Sequence, residues 1–109
     1  MEFSTRTSND IHIVAISGSL DSGTSPAAQK SLDEVLAGAK KVALDFTHLD
    51  YISSAGLRVL LGAAKRLRGS GGTLGMFGLN QSVREVFDIS GFSSILPVYQ
   101  SETDALAAM

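Results

Sequence analysis

The stretch from Leu44 to Leu61 limits the possible folds more than any other part of the chain. It closes a short apolar run, Lys41 to Phe46, whose Val-Ala-Leu centre reads as a strand buried on both faces. A short turn follows, and then the doublet Ser53-Ser54 opens an apolar-faced helix. From about Ser54 to Arg68, Leu57, Leu60, Leu61, Ala64 and Leu67 fall on one helical stripe. A doubly covered strand that feeds an amphipathic helix belongs in an α/β sheet.

The rest of the chain repeats the alternation. Phe3 to Thr7 reads as a short edge strand, Asn9-Asp10 as a turn, and Ile11 to Ser17 as the first clear strand. Gly18 to Gly23 reads as a loop. Ser25-Pro26 suggests a helix cap followed by proline at the first helical position. That helix runs to about Ala37, with Ala28, Leu32, Val35 and Leu36 inward and Gly38 as its stop. Gly69 to Gly72 ends the Ser54 helix, whose last turn carries Lys65, Arg66 and Arg68, suited to the dipole there. Thr73 to Leu79 is a strand whose glycines, Gly75 and Gly78, predict close approach by a neighbour. Asn80 caps a third helix with Val83, Val86 and Phe87, stopped by Gly91. Ile95 to Tyr99 is a last strand, which Pro97 places at an edge or bulge. Ser101 to Asp104 resembles a capping signature before Ala105. The predicted order is β-β-α-β-α-β-α-β-α, an α/β sheet with right-handed crossovers.

Composition narrows the function. The chain has 109 residues, the size of one domain, and 44% hydrophobic content, which supports a core. Its formal net charge of −2 argues against a nucleic-acid partner. It has no cysteine, so no disulfide or thiolate metal site. Its N-terminal residues lack the apolar core of a signal peptide, and no run approaches a membrane span, so no membrane insertion is expected and the expected location is cytoplasmic.

Three places carry candidate chemistry. A helix has one N-cap residue, so capping accounts for Ser53 and leaves the Ser54 hydroxyl available. A phosphate on it would face unpaired N–H groups at the positive end of the helix dipole. Capping and a modification switch both remain open on these residues alone. Gly56 either lets backbone pack closely or clears space for a docking partner. Asp21, in the first loop, is either a turn former or a neighbour of the Ser54 helix. Gly69-Ser70-Gly71-Gly72 follows a helix and precedes a strand, the reverse of a phosphate-binding loop. His12 and His48 without clustered acids make a poor metal site, and no Gly-x-Ser-x-Gly elbow is present. An aspartyl-phosphate receiver is disfavoured too, because Asp45 lies inside its strand and Ser17-Gly18-Ser19 replaces the acidic pair. No cofactor, metal or enzymatic activity is expected.

With these residues in view, the chain resembles the STAS domain family, and within it the bacterial anti-sigma factor antagonists, over about Ile11 to Ala107. Tyr51-Ile52-Ser53-Ser54-Ala55-Gly56-Leu57 is similar to the family's aromatic/Met-Asp-Ser-Ser/Thr-Gly-Leu element. Gly18-Ser19-Leu20-Asp21 is similar to its Gly-x-Leu-Asp loop, and Val83 to Phe92 to its third-helix signature. Ser53 stands where Asp is usual, and Ala55 where a second Ser or Thr is common.

The resemblance implies a single STAS domain over 1–109, a small mixed sheet with about four helices mainly on one face. It implies that Ser54 is the serine phosphorylated by a partner kinase and that Asp21 is the loop acid near it. The partner-binding set would be Asp21, Ser53, Ser54, Gly56, Leu57 and Arg58. The implied partners are an anti-sigma factor that is also a serine kinase with a histidine-kinase-like ATPase fold, and a metal-dependent serine phosphatase. Alternatives within the family are an accessory subunit of a lipid ABC transporter and a ligand-sensing module.

Overall fold

The computed structural model describes residues 1–94 and 96–109. Its elements run in the order β1 (Glu2–Ser8), β2 (Ile11–Leu20), α1 (Ser25–Leu36), β3 (Lys41–Asp45), β4 (Leu49–Ile52), α2 (Ser54–Gly69), β5 (Thr73–Phe77), α3 (Gln81–Ser90), a short 3-10 turn (Phe92–Ser94), β6 (Val98–Tyr99) and α4 (Glu102–Ala108). The sheet order is β1-β2-β3-β5-β6, with β4 pairing separately to β2. β1 is the antiparallel edge, Glu2 opposite Ser17 through Ser8 opposite Ile11, and the Asn9-Asp10 turn joins the two strands with both residues at positive φ. All other pairings are parallel.

Alternation along the strands divides the core in two. Val14, Ile16, Val42, Leu44, Leu74 and Met76 join a large cluster with α1, α2 and α3. Ile11, Ile13, Ala43 and Phe77 join a small one under Ala105 of α4. This is the expected α/β fold: a mixed sheet with three of four helices on one face. Arg6 of β1 pairs with Glu102, which ties α4 to the edge strand. That hydrogen bond, opposed by desolvation and helped by the charges of Glu102 and Asp45, raises the Arg6 pKa above its ordinary value.

Several expectations need correction. β2 does not stop at Ser17. It continues through Gly18, Ser19 and Leu20, so the first half of the predicted loop is strand. A register shift at Gly18, whose φ is +88°, lets β2 leave β3 and pair with β4. β4 itself lies where a simple turn was expected. The cap of α1 is Thr24 rather than Ser25, and it makes no side-chain capping bond. Ser25 is buried inside the first turn, and its hydroxyl donates to the Asp21 carbonyl. α1 ends on Ala37 in a right-handed conformation, so Gly38 is not a left-handed stop. In α2, Leu61 is half-buried and Ala63 takes a place in the core. β5 ends at Phe77 because Gly78 turns out of the strand at φ +78°.

The glycine-contact expectation holds for β5: a Cβ at Gly75 would meet the Tyr99 ring at 2.9 Å, and one at Gly78 the Thr47 hydroxyl at 2.6 Å. β6 is two residues long and lies at the sheet edge beside β5, as Pro97 suggested. Ile95, the predicted start of that strand, lies outside the described residues. Asn80, Gly91 and Ser101 cap their helices as expected.

Candidate functional site

The site forms where β4 ends and α2 begins. Ser53 is extended, with φ −99° and ψ 175°, and its Oγ accepts the Gly56 N–H at 3.3 Å. Ser53 is therefore the cap, and its own N–H donates to the Leu20 carbonyl at 2.9 Å. Ser54 is the first residue of α2 and is exposed. No hydrogen bond reaches its hydroxyl among the described residues. The Arg58 Nε, one turn on, donates to the Ser54 carbonyl at 3.4 Å.

β2 brings the loop acid alongside. Leu20 pairs with Ile52, so Asp21 and Ser53 each follow a residue of the same β-bridge. Asp21 also shapes its own loop. Its Oδ1 accepts the Gly23 N–H at 2.9 Å and the Thr24 N–H at 3.1 Å, which turns the chain into α1. The turn-forming reading of Asp21 is therefore realised, and so is its adjacency to the start of α2.

Gly56 is buried, and the reason is close approach. A Cβ there would lie 2.7 Å from the Leu20 carbonyl oxygen and 2.9 Å from both Leu20 Cγ and Ile52 Cγ1. The absence of a side chain lets the first turn of α2 rest on β2 backbone. Leu57 is 7% exposed and anchors the same turn in the core. Of the six residues expected to form a binding face, Gly56 and Leu57 point inward and seat the helix. Ser54 and Arg58 are exposed, and Asp21 and Ser53 are half-buried.

Beyond this set, a groove of ≈ 650 Å³ lies between α1 and α2, with Ser22, Ser25, Pro26, Ala55, Arg58 and Val59 along it. Arg66 and Asp33 join its two sides through an ion pair of 2.9 Å. Tyr51, just before the doublet, is 53% exposed. The α1 side of the groove was not legible in the sequence, because it depends on which helix packs beside α2. Among the described residues, no group of three or more His, Asp or Glu could hold a metal ion, and no helix is long and apolar enough to cross a membrane.

The arrangement offers one accessible hydroxyl at the start of α2, beside the Arg58 cation and the Asp21 loop. It suits recognition and modification by another protein.

Residues 2–105 match the model of the STAS domain, and the chain belongs to the STAS family. Relatives include BtrV of Bordetella bronchiseptica, named as an anti-sigma factor antagonist, which is 46% identical over 97 residues, 88% of this chain and 84% of that protein. The anti-sigma F factor antagonist of Paenibacillus polymyxa is 32% identical over 99 residues, 89% of this chain and 85% of its own. Among solved structures, an anti-sigma factor antagonist from Mycobacterium paratuberculosis superposes with a TM-score of 0.91 at 23% identity, over 98% of this chain and 92% of that one. The Bacillus cell fate determinant SpoIIAA in its phosphorylated form gives a TM-score of 0.74 at 17% identity, over 98% of each chain. At those identities the structural likeness is one of fold. The names describe regulators that act on another protein rather than catalysts, in agreement with the expectation of a non-enzyme.

Proposed function

We propose that this chain, working as one STAS unit over 1–109, is an anti-sigma factor antagonist whose grip on its partner is set by phosphorylation of Ser54. The partner is an anti-sigma factor that is also a serine kinase of histidine-kinase-like ATPase fold. Unmodified chain binds it in the cytoplasm and releases a sigma factor. The observation that carries the reading is the division of labour in the serine doublet: Ser53 caps α2, and Ser54 presents an exposed hydroxyl with no hydrogen-bond partner among the described residues.

The chemistry balances without help from this chain. The γ-phosphoryl group of ATP passes to Ser54 Oγ, the hydroxyl gives up its proton, and ADP leaves. A metal-dependent serine phosphatase resets the switch by hydrolysing the new ester to free phosphate.

The free protein accommodates the phosphate because the start of α2 is exposed and the helix dipole favours negative charge there. The docked state does not. The modification adds about −1.5 to −2 charges, which must be desolvated against a surface shaped for a hydroxyl. The exposed first half of α2 carries Arg58 and no acid, so the partner surface that suits it is acidic. A phosphate is a like charge against such a surface. A penalty of about 3 kcal/mol weakens binding roughly a hundredfold, with no change of fold required.

Incubation with the partner kinase and ATP, followed by peptide mass spectrometry, tests the assignment. Ser54→Ala should bind the partner and take no label, and Ser54→Asp should bind at least about tenfold more weakly. Label on another residue, or equal affinity before and after modification, overturns the proposal.

A further inference from the structure

We infer that Arg58 is the internal counter-ion of phosphorylated Ser54, its guanidinium closing onto the phosphoryl oxygens and holding them against the first turn of α2. The inference rests on Ser54 being the modified residue, and it adds what the modification does inside this chain.

Side chains on a helix lean toward its N-terminus, so a long residue covers the turn before it. Arg58, four residues after Ser54, does this. Its Nε reaches the Ser54 carbonyl at 3.4 Å, a long, weak contact that leaves the terminal N–H groups without a hydrogen-bond partner among the described residues. The phosphoryl oxygens would be one ester bond beyond Ser54 Oγ, within the same turn. An acidic group placed N-terminal to a cation at this spacing is the favourable orientation. A guanidinium can meet two phosphate oxygens at once, which makes the contact directional as well as attractive.

Among the described residues, the unmodified chain gives no anionic partner to Arg58. It is a cation near the positive end of the dipole, in a helix with no acid in its first turn. Arg66 is held by Asp33. Among the described residues, no carboxylate pairs with Arg58. Asp21 is the acid on the facing loop, and its Oδ1 is turned inward to the Gly23 and Thr24 amides. A phosphoryl group on Ser54 would supply the anion that Arg58 lacks. Phosphorylation then has two effects at the interface: it adds charge, and it withdraws the N–H groups of Arg58 from any partner.

The test needs neither kinase nor partner. Chain carrying phosphoserine installed at position 54 during synthesis is titrated by ³¹P NMR to read the second phosphate pKa, ordinarily about 6. The value in otherwise wild-type protein should lie about 0.5 to 1 unit below that of the Arg58→Ala version, a threefold to tenfold shift in proton affinity. Arg58→Lys should fall between them, because a point charge replaces a planar fork. Lys65→Ala, which removes an exposed cation further along α2, should leave the value unchanged. Agreement of wild type and Arg58→Ala within about 0.1 unit overturns the inference, as does an equal shift from Lys65→Ala, which would indicate a general field. Partner affinity measured on the same samples separates the two proposals. Weakened binding with no Arg58-dependent shift leaves the switch and removes the clamp, and the reverse pattern leaves the clamp and removes the switch.

Discussion

Gly56 and Gly62 sit six residues apart on α2, and the same substitution should have opposite effects at the two positions. In Gly56→Ala, the new methyl would lie 2.7 Å from a backbone oxygen and 2.9 Å from two buried carbons. Carbon contacts are comfortable at about 3.5 Å and beyond, so the helix start must lift from β2 by about 0.5 Å or more. The oxygen belongs to Leu20, which is buried and held by pairing to β4, so it cannot yield as a side-chain tip would. Overpacking costs about 1–3 kcal/mol, and a contact this short against fixed backbone belongs in the upper part of that range, about 2–3 kcal/mol. The gain in helix propensity returns up to about 1 kcal/mol. The net effect is about 1–2 kcal/mol of destabilisation, a fall in Tm on the order of 5–10 °C for a chain of this size.

At Gly62 nothing lies within 4 Å of the added methyl. Only the propensity term acts there, so Gly62→Ala should raise stability by up to about 1 kcal/mol. Urea titrations of both variants against wild type, with the slope checked for constancy, measure the two numbers. Equal stability of Gly56→Ala and wild type, or destabilisation of similar size at both positions, would refute the close-approach argument. Because lifting the first turn also moves Ser54, Gly56→Ala should slow the proposed phosphorylation there.

Other outcomes follow from single contacts. Asn80→Ala removes a cap bond to the Val83 N–H at 2.8 Å and a donor to the Leu49 carbonyl at 3.0 Å, and should cost about 2 kcal/mol in urea unfolding. Ser53→Ala should cost about 1 kcal/mol by the same assay, and Ser53→Asp should restore it, because a carboxylate caps equally well. A double-mutant cycle on Asp33 and Arg66, whose side chains are 48% and 50% exposed, should return a coupling below about 1 kcal/mol that shrinks in high salt.

Local chemistry made much of this molecule readable without its structure. Asn80, Gly91 and Ser101 announce helix ends because capping bonds span three or four residues and need no distant partner. The α2 stripe and the doubly buried β3 follow from periodicity, since one face or both must leave water. Gly75 and Gly78 signalled close neighbours, though not that Tyr99 and Thr47 would be those neighbours.

What escaped the sequence depends on pairing between distant segments. β4 has four residues, two of them exposed, and little in its side chains distinguishes it from a turn. It is a strand because β2 bends at Gly18 and offers it hydrogen bonds. That same bend joins Leu20 to Ile52 and so sets Asp21 beside Ser53, an adjacency that the family resemblance implied and that local pattern alone did not. The serine doublet and its cap were therefore determined by the sequence alone. The seat of α2 on the Leu20 carbonyl, and the groove shared with α1, were decided by tertiary structure, because sheet register and helix packing rather than local propensity bring those atoms together.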